Sequence, residues 1–310
     1  MSLVLDGALV VGLVAVVPVG ATLHPHLAPR WLRRGATGAG LVAAIGVLVG
    51  PAPVAAVAVV PLAVWTVAAG LCSLRSWCRS PNWVGLALPV ALGYLGVGVL
   101  WLVAHLLDLR PAGFGPPFVA LTAIHFLYAG FAATLIASRA HAQAVARLPR
   151  VSATGLVATT CGPPVVAAGF VLYGPLQVAG ALVLTVGLYL ISTVLLVALA
   201  PRAGGVSRWL LVLAGVAVVG PMVLAVHWAA ATTMGFAALS IPTMARTHGV
   251  VNALGFVLPA LIGLRLLADA DPARPARVAG PTPPSAWHGM AASRDGPASP
   301  TPLHPCARSR

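Results

Sequence analysis

Long apolar blocks, separated by short clusters of arginine, proline and glycine, dominate this chain. A helix that crosses a bilayer needs about 20 apolar residues. Nine stretches fit that role, approximately Leu3–Leu23, Ala36–Gly50, Val54–Leu71, Val84–Leu107, Pro117–Ser138, Val151–Leu172, Leu176–Ala200, Arg208–Phe236 and Thr247–Ala268. The second is short and meets the third at Gly50–Pro53, "GPAP", a breaker cluster. The eighth is long and carries Gly220-Pro221, which predicts a kink or a tilt. The sixth also holds a breaker, Gly162-Pro163-Pro164; close packing through small residues is the plainer account, and interrupted helices that line a substrate path, as in carriers, are the alternative. The first segment has no basic flank and contains Asp6, so it reads as a retained span, not a signal peptide. The expected fold is all-α: a polytopic transmembrane bundle over residues 1–268 with no soluble domain. Residues 269–310, rich in Pro, Ala, Ser and Arg, read as a disordered cytoplasmic tail.

The arginines give this count an orientation. Sixteen of them follow the first, third, fifth, seventh and ninth segments, and two, Arg110 and Arg246, fall at the opposite ends. Positive loops stay cytoplasmic, which places the amino end outside and the carboxyl end inside a cell membrane.

Composition narrows the class further. The chain is 59% hydrophobic and 7% charged, with no lysine and no glutamate. Soluble domains carry about 25% charged residues. A net charge of +13 would suit nucleic acid, but the charge lies in short loops and the tail, so the implied partner is the lipid bilayer and no nucleic acid. The four cysteines, Cys72, Cys78, Cys161 and Cys306, form no metal-binding spacing. No HExxH, GxSxG, GxxxxGK[ST] or GxGxxG occurs, so hydrolase and nucleotide chemistry have no support, and an enzyme is the less expected class. Apart from Asp6 near the amino end, no carboxylate is read as lying inside a span, although carboxylates are the usual partners of coupled ions in carriers.

The polar residues that do fall within the segments are therefore conspicuous. His125 sits in "LTAIHFLYAG" about eight residues from the outer end of the fifth segment, with Tyr128 three residues on. His105 closes the fourth, and His227 lies in the outer half of the eighth. Arg246 and His248 stand at the mouth of the ninth, with Asn252 four residues on and on the same face as His248. These four histidines come from four helices and are all read into the outer half of the bilayer. Polar groups in hydrocarbon usually face a bundle interior. His125, Tyr128, His227, Arg246, His248 and Asn252 are accordingly candidate walls of a polar cavity. For His105 an interhelical hydrogen bond is the plainer reading. His24, His26, His288 and His304 read as loop and tail residues. Two of His105, His125, His227 and His248 are also the candidates for a haem or copper ligand pair, the alternative to a protein without a cofactor.

Taken together, "LTAIHFLYAGF" (Leu121–Phe131), the "GPP" of the sixth segment and "MARTHGVVNALGF" (Met244–Phe256) resemble the YndJ-like membrane proteins, over roughly Phe114–Leu267. The resemblance implies a transporter-like protein with a small molecule or ion as cargo. It marks His125, Phe126, Ala129, Gly130, Phe131, His248, Gly249, Asn252 and Gly255 as motif positions without giving them chemistry. The chain departs from the pattern at Leu127, where relatives carry a second histidine or polar residue, which weakens a metal pair built on His125. The remaining alternative is a structural or accessory membrane subunit whose histidines only pin helices together.

Overall fold

The computed structural model describes residues 2–24 and 30–270. The tail from Asp271, with His288, His304 and Cys306, and the loop residue His26 lie outside them. Among the described residues there is no strand, and nine helices are long and apolar enough to cross a membrane. They are α1 Leu3–Leu23, α2 Trp31–Val49, α3 Ala52–Arg79, α4 Ala87–Leu106, α5 Phe118–Ala144, α6 Pro149–Val171, α7 Gly174–Arg202, α8 Gly205–Met234 and α9 Ile241–Asp269.

The surface supports the same reading. Along α3, Val57, Val60, Val64, Val67 and Leu71 are all exposed. Their spacing of three and four residues makes one continuous apolar stripe, which is stable against lipid and not against water. Hydroxyls inside the spans turn back on their own helices: Thr66 donates to Leu62 O at 2.7 Å, Thr122 to Phe118 O at 2.8 Å and Thr185 to Ala181 O at 2.7 Å. In hydrocarbon no water would otherwise take them.

α5 is the central helix. It packs against α1, α4, α6, α7 and α9, and 67% of its apolar window is buried, the largest share among the nine. Its small residues, Ala120, Ala123, Ala132, Ala133, Ala137 and Ala140, are fully covered and let those neighbours approach. Two apolar voids of about 10 Å³ flank it, each with room for about one water. One lies beside Phe131 and Trp65, the other beside Leu127 and Leu95.

Helix ends differ from the apolar runs. α2 starts before Arg33 and Arg34, and α3 continues to Arg79. Long cationic side chains at an end carry their charge to the interface while the backbone stays helical. α5 continues past Ser138 through Arg139 and His141, so a fifth histidine lies within a span, at the arginine-rich end. The expectation that every span histidine sits in one half is corrected by this. Two carboxylates also lie within helices: Asp6 in the first turns of α1 and Asp269 as the last residue of α9, where it pairs with Arg265 at 2.8 Å.

The two proline sites behave differently. α6 runs unbroken through Pro163 and Pro164, so the alternative of an interrupted helix does not hold there, and Gly162 packs closely against Leu184 of α7. Pro164 has no N–H for the carbonyl of Thr160, and the Tyr94 hydroxyl of α4 donates to that carbonyl at 2.6 Å instead. α8 does break, at Val218 just before Gly220-Pro221. Side chains of neighbouring helices bond to carbonyls on both sides of that break. Ser192 of α7 donates to Gly215 O at 2.5 Å, Tyr189 of α7 to Val219 O at 2.8 Å, and His248 of α9 to Pro221 O at 2.8 Å.

Candidate functional site

His125 lies seven residues after Phe118, the start of α5, and His248 seven residues after Ile241, the start of α9. At about 1.5 Å per residue both are about 10 Å below the same end of the bundle. α9 begins earlier than its apolar run, which removes the difference in depth that a start at Thr247 would impose. The two imidazoles meet: their ring centroids are 6.4 Å apart and their planes differ by 19°.

Both rings have the same donor arrangement. His125 Nδ1 lies 2.7 Å from Leu121 O, and His248 Nδ1 lies 2.8 Å from Pro221 O. A carbonyl only accepts, so each Nδ1 carries the proton and donates. In the neutral ring Nε2 then keeps its lone pair. Asn252 sits beside His248, its Nδ2 3.4 Å and 3.5 Å from the two ring nitrogens and 3.9 Å from Met222 Sδ of α8. Asn252 Oδ1 is buried with no hydrogen-bond partner. The Asn252 amide thus donates to the Met222 sulfur and lies within reach of the His248 ring, which leaves Nε2 of the exposed His125 and Asn252 Oδ1 as the acceptors it does not serve, along α9 between its neighbours α5 and α8.

Local backbone geometry sets this up. Wider π-helical turns occupy Phe126–Ala132 in α5, and Ala245–Gly249 and Val251–Val257 in α9. They begin one residue after His125 and include His248 and Asn252. Such turns also occur at Gly12–Val16 of α1 and Val194–Leu199 of α7, and the extra residue redirects the side chains that follow it. That redirection accounts for Tyr128. Counting three residues on an α-helix puts it on the face of His125, but the wider turn moves it towards α1, where its hydroxyl donates to Ala8 O at 2.9 Å and its ring is buried. Tyr128 is therefore not brought to the histidine pair.

The other candidates are dispersed. His227 is six residues beyond Pro221, on a different face of α8, exposed and against the ring of Phe236 at 5.7 Å. Arg246 is exposed on α9, and His105 is half-buried in the last turn of α4. Among the described residues no three of His, Cys, Asp or Glu gather as a metal-holding group, so Asp6 does not join the pair.

One buried polar pin had not been singled out. His141 Nδ1 donates to Ser152 Oγ of α6 at 2.8 Å, the Ser152 hydroxyl donates in turn to Leu148 O at 2.7 Å, and the Trp83 ring lies 5.4 Å from the imidazole. It closes the α5–α6 turn. The signal that would have found it is the length of α5, hidden because Arg139 and His141 end the apolar run.

An all-α bundle of nine bilayer-length helices with lipid-compatible faces is an integral, multi-pass membrane protein. Within that class, the family of YndJ-like proteins matches residues 7–256, well over half of the sequence, and the chain belongs to it. The match reaches back through the first hundred residues and takes in His125, Met222, His248 and Asn252. No curated protein and no solved structure matches the chain. The family departure at Leu127 also finds its place: Leu127 is buried against Gly12 of α1, away from His248, so its identity does not bear on the pair.

Proposed function

We propose that this YndJ-like protein is transporter-like and receives a small molecule or ion at the polar cluster between α5, α8 and α9. What supports the reading is the approach of His125 and His248 to 6.4 Å, with both Nδ1 atoms committed to backbone carbonyls. Polar groups in hydrocarbon are costly, and here Asn252 Oδ1 is buried without a partner beside the two rings. The preferred cargo is thus a cation or a strong hydrogen-bond donor. The site is tested by a thermal-shift screen of small solutes and ions on the purified protein. A stabilising solute is expected to lose its effect in His125→Ala and His248→Ala and keep it in His227→Ala. A shift indifferent to the pair would end this reading and leave the accessory-subunit alternative.

The proposed orientation, in the cell membrane, has the amino end outside and the cluster in the outer half. It follows from the sixteen-to-two division of arginines. A reporter fused after Leu267 is expected to be active only on the cytoplasmic side. Activity only on the outer side would invert the topology and place the cluster in the inner half.

A further inference from the structure

We propose that Arg139 of α5 and Arg265 of α9 form a binding site for a phosphate group at the arginine-rich end of the bundle. The site is separate from the histidine cluster, which lies towards the opposite end.

Three helix ends meet there, because the closing segments of α1, α5 and α9 pack against one another. Arg265 is tied to two of them. Its Nε donates to Asp269 Oδ2 at 2.8 Å, one turn on in α9, and its Nη1 donates to Thr22 O in the last turn of α1 at 3.2 Å. Arg139 is not tied in this way. It is half-buried, and its Nε–H is buried with no acceptor among the described residues. The charges of Arg265 and Asp269 both act on it, and repulsion by Arg265 outweighs attraction by Asp269. Two cations thus share one carboxylate, and Arg265 already engages it. The other described carboxylates, Asp6 and Asp108, lie at the opposite end of the bundle.

A buried guanidinium N–H without a partner is unfavourable. Gln143 stands four residues after Arg139, on the same face, with its amide oxygen likewise buried and unpartnered. A water in the gap would satisfy both atoms but leave the second cation uncompensated. An anion compensates it, and the amide, turned over, adds a donor. The planar fork of arginine matches phosphate oxygens in pairs.

Depth points to the source of the phosphate. α5 has 27 residues and α9 has 29. At about 1.5 Å per residue they are about 40 Å and about 43 Å long. A bilayer with its headgroups is about 40–45 Å thick. Arg139 stands five residues before the end of α5, and Arg265 four before the end of α9. Both therefore lie about 6–8 Å inside the surface, at the level of the headgroups. The Arg265 side chain is 39% exposed, which leaves the site open to them. Basic pockets between spans hold anionic headgroups in this way, so a lipid phosphate is favoured over free phosphate.

The test uses the full chain, purified in a neutral detergent and freed of lipid. Native mass spectrometry follows a titration with phosphatidylglycerol or phosphatidylcholine, and thermal unfolding follows inorganic phosphate. One tightly held phosphatidylglycerol is expected, with phosphatidylcholine weaker because its choline cation is repelled. Arg139→Met and Arg265→Met keep an apolar stem, and each should weaken binding by about tenfold or more, the loss of one charge-assisted contact. Arg139→Lys keeps the charge without the fork and should recover only part of it. Arg147→Met and Arg150→Met remove the same charge from exposed positions at the same end and should leave binding unchanged. Asp269→Asn releases Arg265 and should tighten it. Each variant is first shown to be monodisperse. A shift with inorganic phosphate that needs both arginines, without such dependence for lipid, upholds the phosphate site and makes solution its source. Binding that falls as much in Arg147→Met as in Arg139→Met, or that ignores the pair in both arms, overturns the site.

Discussion

Replacing Gly180 by leucine is expected to remove most of the folded protein. A Cβ at Gly180 would stand 2.4 Å from Val166 N and 2.8 Å from Val165 C. These are backbone atoms of α6, so no side chain can swing aside. The contact continues along the pair. A Cβ at Gly187 would lie 2.5 Å from Thr159 N, and one at Gly162 would lie 2.6 Å from Leu184 Cβ and 2.8 Å from Leu184 Cα. α6 and α7 therefore meet backbone to backbone through glycines on both helices. Lipid is as apolar as the side chains, so close van der Waals packing is what joins helices in a bilayer. Gly180→Ala should cost about 1–3 kcal/mol, the usual range for overpacking, and Gly180→Leu more. Thermal unfolding in detergent and the monodisperse fraction measure both. Gly70→Ala and Gly93→Ala, where a Cβ meets nothing within 4 Å, serve as controls and should be neutral or slightly stabilising. A stable Gly180→Leu protein would mean that α6 and α7 do not pack this way. The effect should reach the histidine cluster too. Tyr189 and Ser192 of α7 hold the broken turn of α8, and that turn presents Pro221 O to His248.

Why some of this was legible in the sequence and some was not has a physical account. Bilayer thickness forces long apolar runs, so all nine spans and their order can be read from composition alone. Their ends cannot, because the interface tolerates arginine, serine and histidine in a helix that continues. Arg139 and His141 in α5, and Ile241–Arg246 in α9, were left out for that reason. Proline gives an ambiguous signal. Pro164 and Pro221 look alike locally, yet the first sits in an intact helix. What separates them is the surrounding bundle, such as the Tyr94 hydroxyl on α4, far away in sequence. The candidate site was legible in part. His125, His248 and Asn252 stand out because polar residues are costly in apolar segments, and the fold brings their side chains together. Tyr128 was assigned to them by a spacing that holds only in a regular α-helix, and the wider turn from Phe126 breaks it. His227 was included for its depth, which says nothing about the face it occupies. Met222 carried no signal, since a methionine in an apolar run reads as core. Only the meeting of α8 and α9 makes it a neighbour of Asn252.

Phe131→Ala is expected to give the second large loss, and its size separates lipid-facing from core aromatics. Phe131 is 1% exposed at the centre of α5. Its ring packs against Gly20 of α1, where a Cβ would come within 3.1 Å of Cζ, and borders the void it shares with Trp65 and Leu135. In a soluble core, Phe→Ala costs about 3–5 kcal/mol, transfer and cavity terms together. Inside a membrane the transfer term nearly vanishes, because the unassociated helix already lies in hydrocarbon. The cavity term remains. Losing about 100 Å³ of ring volume at about 24 cal/mol per Å³ gives about 2.4 kcal/mol. Phe170 of α6, 41% exposed, is the matched comparison, and Phe170→Ala should be close to neutral because lipid fills the gap. Thermal unfolding of the two variants side by side gives the contrast. A second measurement tests the cause. An apolar cavity stays dry and accepts benzene or xenon. Benzene should therefore restore much of the stability of Phe131→Ala and do nothing for Phe170→Ala. Equal losses in the two variants would show that the ring of Phe131 faces lipid, and that α5 is not the buried axis on which His125 is mounted.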